Sequence, residues 1–323
     1  MPFAIRIHET GGPEKMRWEE VPLETPGPGQ VLVRNTAIGL NFIDTYHRSG
    51  MYPIAPPATL GMEGAGIVDK IGPKVNGLKT GDRVAYAQPI GAYAEWVLRP
   101  ADRLVKIPSG VDDKTAAAIM LKGMTAQYLI RRTYKVKAGD VILVHAAAGG
   151  VGQILCQWAK HLGATVIGTV GTEEKAKLAH KAGCKHVIVT VREKFPERVK
   201  EITKGAGVPV VYDGIVKDTF MDSLDCLAPL GLMVSYGSAS GAVAPFSLAL
   251  LAQKGSLFLT RPTLMTYTAK REDLLKSAAE LFTVVKNGAV RININQTYPL
   301  REAAQAHRDL ESRKTVGSTL LLP

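Results

Sequence analysis

The chain has 323 residues, 46% hydrophobic and 21% charged, which exceeds what one ordinary core needs and excludes a disordered or fibrous polymer. Lys and Arg number 40 against 29 Asp and Glu, a formal net charge of +11 that favours anionic partners without naming one. The cysteines Cys156, Cys184 and Cys226 form no C-x-x-C pair, which argues against a disulfide framework or a cysteine-built zinc site and suits a reducing cytoplasm.

The N-terminus, Met1 to Glu9, carries charge too early for a secretory segment. No apolar run approaches the roughly 18 residues of a membrane span, so no membrane insertion is expected. From Phe3 to about Ser109, short β-rich runs such as Val31-Leu32-Val33, Gly66-Ile67-Val68 and Ala94 to Leu98 are cut by turn residues, predicting a strand-dominated domain. Within it, Pro53, Pro56 and Pro57 bend a loop. From about Thr125 the pattern becomes apolar strand, polar turn and amphipathic helix in alternation, the signature of a parallel sheet covered on both faces. The six strand candidates are Val141 to Ala146, Thr165 to Val170, His186 to Thr190, Pro209 to Asp213, Leu232 to Tyr236 and Ser256 to Thr260. They predict an α/β chain with a doubly wound, six-stranded Rossmann sheet. A helix from Arg271 to Asn287 and a strand from Ser318 to Leu322 exceed that unit, so the tail is expected to return to the N-terminal domain.

The first of these strands opens into Ala147-Ala148-Gly149-Gly150-Val151-Gly152, and a helix follows with Val151, Ile154, Leu155, Trp158, Ala159 and Leu162 on one face. Gly163 stands where its C-terminal cap belongs. Ala147 replaces the first glycine of G-x-G-x-x-G, while Gly149 and Gly152 keep the second and third places. A strand, a glycine turn and a helix N-terminus in this order suit a pyrophosphate, because the backbone can approach closely and the helix dipole favours negative charge. The bland alternative is a glycine turn packed tightly under a helix.

An NAD enzyme usually places Asp or Glu at the tip of its second strand to bond the ribose 2′-hydroxyl. Here the tip reads Gly168-Thr169-Val170-Gly171-Thr172, with Lys175 one turn into the next helix. This favours a 2′-phosphate and therefore NADPH. The alternative is that Thr172 only caps the helix and Lys175 is a solvated charge beside Glu173 and Glu174.

Several further segments carry a family resemblance: Asn41 to Tyr46 with Ser49 to Pro53, Gly81-Asp82-Arg83-Val84, Lys122 to Ala126, and Gly139-Asp140 through Leu143 and the glycine turn to Gln157 and Lys160. In these the chain resembles, end to end, the zinc-independent quinone oxidoreductases related to zeta-crystallin, within the medium-chain dehydrogenase/reductase superfamily. The resemblance implies a β-rich, GroES-like catalytic domain from residues 1–124 and 263–323 and an NADPH-binding Rossmann domain at 125–262. It implies a homodimer paired through cofactor-domain edge strands. It also implies that Asn41, Asp44, Tyr46 and Tyr52 line the nicotinamide pocket, where amide and phenol groups orient the ring and donate to developing oxygen charge, with Asp44 an orienting group rather than a base. Tyr46 and Tyr52 read equally as loop aromatics satisfying their hydroxyls. Asn41 also falls among the cofactor positions, with Thr125, Ala148, Gly149, Gly150, Val151, Gly171, Thr172, Lys175, Tyr236, Gly237 and Ser238. Arg261 is either a substrate contact or an ordinary interdomain salt bridge.

Catalytic zinc needs about three protein ligands, and no Cys and His grouping supplies them. Relative to zinc alcohol dehydrogenases, Asn41 stands at a cysteine ligand's place and Met62 replaces a histidine. The substrate must then accept hydride readily, as quinones do, and enones or alkenals are the near alternative. Two departures from the family bear on the cofactor. Thr190-Val191-Arg192 stands where many relatives place a tyrosine against the 2′-phosphate, so that Arg192 compensates or the preference for NADPH softens. Val216 stands where relatives often have glycine. His145 reads as a packed histidine. The +11 charge leaves a basic nucleic-acid-binding, crystallin-like protein as the reading from another class, although the basic residues are scattered without interleaved aromatics.

Overall fold

The computed structural model describes residues 1–323. Two compact units divide the chain: Met1–Met124 with Thr268–Lys286 and Ile292–Pro323, and Thr125–Tyr267 with Asn287–Arg291.

The first unit is built mostly on antiparallel pairing, with Ile294–Pro299 and Ser318–Leu322 paired in parallel. A three-stranded sheet runs Arg17–Glu20, Phe3–Ile7, Ala58–Thr59. A seven-stranded sheet runs Ile294–Pro299, Ser318–Leu322, Gln30–Leu40, Glu63–Ile71, Arg83–Tyr86, Val105–Lys106, with Trp96–Pro100 also pairing Gln30–Leu40. The final strand closes the return of the chain, with Leu320 opposite Gly39 and Leu321 opposite Ile38. Alternation along these strands buries Ile5, Ile7, Val31, Val33, Ile38, Leu40 and Leu321 in one cluster with Tyr86 and Tyr93.

The second unit holds a six-stranded parallel sheet in the order His186–Val189, Thr165–Val170, Val141–Val144, Val208–Asp213, Leu227–Ser235, Phe258–Thr260. In chain order this is 3-2-1-4-5-6, which puts the topological switch point between Val141–Val144 and Val208–Asp213. The first strand stops at Val144 rather than Ala146, because Ala146 turns to φ 50° and leaves the ladder. Helix Leu264–Tyr267 stays with this unit, five residues beyond the boundary expected at 262. Tyr267 stacks on Tyr128 at 4.4 Å, and its carbonyl accepts from Arg132 Nη1 at 2.7 Å.

Candidate active site

The glycine turn lies at the carboxyl end of Val141–Val144, beside the switch point. The Gly149 N–H donates to the Ala146 carbonyl at 2.8 Å, and Gly149 caps helix Gly150–His161 in an extended conformation. Gln153 makes the first intrahelical bond, to the Gly149 carbonyl at 2.9 Å, so Gly150 to Gly152 form the orphan first turn that presents backbone N–H groups. Gln153 Nε2 donates to the Ala148 carbonyl at 2.8 Å and stiffens the turn. A Cβ on Gly152 would lie 2.3 Å from the Ala146 carbonyl oxygen and 2.9 Å from Ala147 Cα, so this glycine lets helix and strand pack closely.

At the tip of the second strand, Gly171 and Thr172 are exposed and Lys175 is half-buried. Thr172 caps helix Glu173–Lys181, its hydroxyl accepting from the Lys175 N–H at 3.3 Å. The capping alternative is therefore observed, and it leaves the Lys175 side chain in the first helical turn. Arg192 pairs with Glu173 at 2.6 Å, which brings its guanidinium to the same helix start.

After the fourth strand, Val216 adopts φ 77°, a left-handed conformation costly for a β-branched residue. Buried Asp213 holds it there. Asp213 Oδ1 accepts from the N–H groups of Ile215 and Val216 at 2.8 and 3.0 Å, and Oδ2 accepts from Thr219 Oγ1 at 2.6 Å. His145 belongs to this framework: Nδ1 lies 2.8 Å from Thr169 Oγ1 and Nε2 lies 2.9 Å from Ser223 Oγ. Burial lowers its pKa, as expected of a packed imidazole. Asp213 carried no local signal, since a carboxylate ending a strand has no distinctive spacing. Tyr236 follows the fifth strand, and its N–H donates to the Asp213 carbonyl at 2.9 Å. Arg261 Nη1 donates to the Ser235 carbonyl at 2.8 Å and Nη2 to Ser238 Oγ at 3.2 Å, so Arg261 clamps the loop that holds Gly237. Thr125 is buried in helix Asp113–Tyr128.

In the first unit, helix Phe42–Ser49 carries the other group of predicted residues. Asn41 is its N-cap residue, and the Asn41 N–H donates to Asp44 Oδ2 at 2.8 Å. Tyr46 is buried, and Tyr52 meets it edge-on at 5.2 Å, with the Tyr52 N–H donating to the Tyr46 carbonyl at 3.0 Å. Asn41 Nδ2 donates to Glu63 Oε2 at 2.8 Å and to the Gly39 carbonyl at 3.2 Å, and its side-chain oxygen takes part in a capping box with the Asp44 backbone N–H. Asp44 is 0% exposed, so its carboxyl acts through its neighbours rather than on a ligand. Burial is the main force on it, raising its pKa to about 7.

Glu63 is central to this neighbourhood and was unassigned in the sequence. Its Oε2 accepts from Lys122 Nζ at 2.7 Å and its Oε1 from the Leu121 N–H at 2.8 Å. Both carboxylate oxygens are thus committed, and the pair joins strand Glu63–Ile71 to helix Asp113–Tyr128.

A glycine turn at the switch point of a 3-2-1-4-5-6 sheet, joined in one chain to a GroES-like sheet unit, defines a two-domain nucleotide-dependent dehydrogenase or reductase. Residues 27–109 match the alcohol dehydrogenase GroES-like domain, and residues 150–281 match the zinc-binding dehydrogenase domain. The chain is 53% identical to a quinone oxidoreductase of Pseudomonas aeruginosa over 99% of both chains. It is 50% identical to a 2-haloacrylate reductase of Burkholderia sp, over 100% of this chain and 99% of the relative. The crystal structure of Escherichia coli quinone oxidoreductase complexed with NADPH superposes with a TM-score of 0.98, at 49% identity over 99% of this chain and 100% of that one. The chain belongs to the quinone oxidoreductases of the medium-chain dehydrogenase/reductase superfamily.

The matched domain's description names zinc, and the donor set here does not fit that ion. Asn41 and Met62 are poor ligands, both Glu63 oxygens are engaged by Lys122, Leu121 and Asn41, and no group of three His, Cys, Asp or Glu residues is placed to hold a metal. No helix is long and apolar enough to cross a membrane.

Proposed function

We propose that the protein is an NADPH-dependent quinone reductase that moves hydride from the nicotinamide to a quinone without zinc. The observation that carries the reading is the pairing of the glycine turn with a second-strand tip that bears Thr172 and Lys175 and no carboxylate. The Escherichia coli relative, complexed with NADPH, supports it. When bound, NADPH supplies the hydride. Ala148, Gly149, Gly150 and Val151 hold the diphosphate on backbone N–H groups at the positive end of helix Gly150–His161. Gly171, Thr172 and Lys175 receive the 2′-phosphate, with Arg192 beside them. Thr125, Tyr236, Gly237 and Ser238 line the rest of the nucleotide, and Arg261 acts by fixing the Ser238 loop. Asn41, Tyr46 and Tyr52 would orient the nicotinamide and the acceptor. A quinone already accepts hydride readily, so these residues have to position it and exclude water rather than activate it.

The second reading is an enone or alkenal reductase on the same machinery, favoured by the 50% identity to a 2-haloacrylate reductase. Steady-state rates for benzoquinones, naphthoquinones and alkenals, each with NADPH and with NADH, test the choice. Quinone turnover with NADPH preferred is expected, and turnover of alkenals alone would replace the first reading by the second.

In the domain assignment that goes with this reading, the first unit is catalytic and the second binds NADPH. The protein acts as a homodimer through the edge strand Phe258–Thr260, where Phe258 is 59% and Leu259 37% exposed. The reducing cytoplasm is the proposed compartment, in keeping with three free, buried cysteines.

A further inference from the structure

A buried chain of polar side chains in the first unit leads from the surface to Asp44, and the scheme above does not use it. Arg48 Nη2 and Nη1 donate to Glu311 Oε1 and Oε2 at 2.6 and 3.1 Å. Arg48 Nη1 also lies 3.0 Å from His307 Nδ1, and His307 Nε2 lies 3.0 Å from the Tyr93 hydroxyl. That hydroxyl lies 2.8 Å from Asp44 Oδ2, the same oxygen that accepts from the Asn41 N–H. Arg48, Asp44, Tyr93 and His307 are all buried, and Glu311 alone reaches solvent.

Counting donors fixes the direction of every bond. A guanidinium only donates, so His307 Nδ1 accepts and the proton of the neutral ring sits on Nε2. Nε2–H then donates to the Tyr93 oxygen, and the single phenolic hydrogen is left to Asp44 Oδ2. This oxygen therefore accepts two bonds, and an acid proton on Asp44 can reside only on Oδ1, which has no hydrogen-bond partner in the protein. An ionised carboxylate buried with one bare oxygen is far more costly than the neutral acid.

We propose that Arg48, His307 and Tyr93 are positioning residues that impose one hydrogen-bond direction on Asp44, so that Oδ2 only accepts and an acid proton is confined to Oδ1, thereby fixing Asn41 and the start of helix Phe42–Ser49 for hydride transfer. The proposal rests on the reading of Asn41 and Tyr46 as residues of the reaction site. Burial, which pushes the Asp44 carboxyl up to about 7 and His307 down to about 3, agrees with a carboxyl that is neutral below pH 7 and a neutral imidazole. The other charged groups felt by Asp44 are Lys122 and Glu63, which are paired with each other and act on it in opposite senses.

Infrared titration of the ligand-free protein tests this directly. The wild type should show a protonated-carboxyl band that survives to near pH 7 and is absent in Asp44→Asn. Tyr93→Phe removes a donor to the carboxylate form, so its midpoint should rise by about one pH unit. His307→Leu should move the midpoint and lower kcat roughly tenfold with KM little changed, while His307→Gln, whose amide both accepts and donates, should recover most of the rate. No such band in the wild type, or midpoints unmoved in both Tyr93→Phe and His307→Leu, would overturn the proposal. Absence of NADPH-driven quinone turnover by the wild type would instead sink the functional reading, and the infrared result would stand apart from it.

Discussion

Asp44 and His307 pull stability in opposite directions as pH changes. The Asp44 pKa rises from 3.8 to about 7 on folding, so its contribution is fully present below about pH 4 and is lost as pH rises through 7. The His307 pKa falls from 6.5 to about 3, so its contribution is present above 6.5 and is lost as pH falls toward 3. Each shift amounts to something on the order of 4 kcal/mol, and between about pH 4 and 6.5 the two offset one another. Asp44→Asn should therefore lose Tm faster than wild type as pH falls from 6.5 to 4, and His307→Gln should gain relative to wild type over the same range. Thermal denaturation across that window checks it, and parallel slopes in all three proteins would contradict it. At this scale the sequence was legible only in part. Asp44 stood in a recognisable segment, but its controlling partners did not, because Arg48 and Glu311 are 263 residues apart and no local spacing joins them. The partner of Asn41 was hidden for the same reason: its Nδ2 donates to Glu63, a residue 22 positions away on another strand.

Among the elements, the turn between the first strand of the parallel sheet and its helix separates two kinds of glycine. Gly152→Ala would place Cβ against backbone atoms that cannot swing aside, at 2.3 Å from the Ala146 oxygen, and should cost about 1–3 kcal/mol while weakening NADPH binding. Gly171→Ala meets no protein atom within 4 Å, so stability should stay within about 0.5 kcal/mol. If the nucleotide passes over Gly171, its affinity should nonetheless fall. Urea denaturation and NADPH titration of the two variants separate the effects, and unchanged affinity in Gly171→Ala would remove that residue from the cofactor site. Local order made this region readable, since strand, turn and helix are contiguous in sequence. The exact strand end was not, because nothing in a run of alanines announces that Ala146 takes a positive φ. Strand Leu227–Ser235 likewise begins five residues before the expected Leu232, running through Leu230 at φ 61° with a register shift against Val208–Asp213.

For the molecule as a whole, alternation of strand and helix from Thr125 onward sufficed to predict six strands, and the observed order places the switch point where a dinucleotide binds. The return of the tail was expected from its excess over that unit, and Ser318–Leu322 pairs antiparallel with Gln30–Leu40. Strand Phe258–Thr260 ends the parallel sheet, and exposed Leu230 and Leu248 accompany Phe258 and Leu259 among the large apolar side chains of this unit. If the proposed homodimer pairs through this strand, replacing Phe258 and Leu259 together by lysine should give a monomer in sedimentation experiments, since charge on an edge strand opposes pairing. A dimer that persists would move the interface elsewhere.

Hydride transfer from NADPH to a quinone, in a site whose donor set does not suit zinc, is the reaction to be tested. It can be followed as the oxidation of NADPH deuterated at the transferring C4 position by a benzoquinone, using enzyme exhaustively treated with a strong chelator. The predicted result is sustained turnover, slower for the deuterated cofactor than for ordinary NADPH. Turnover abolished by the chelator and restored by added zinc would contradict it.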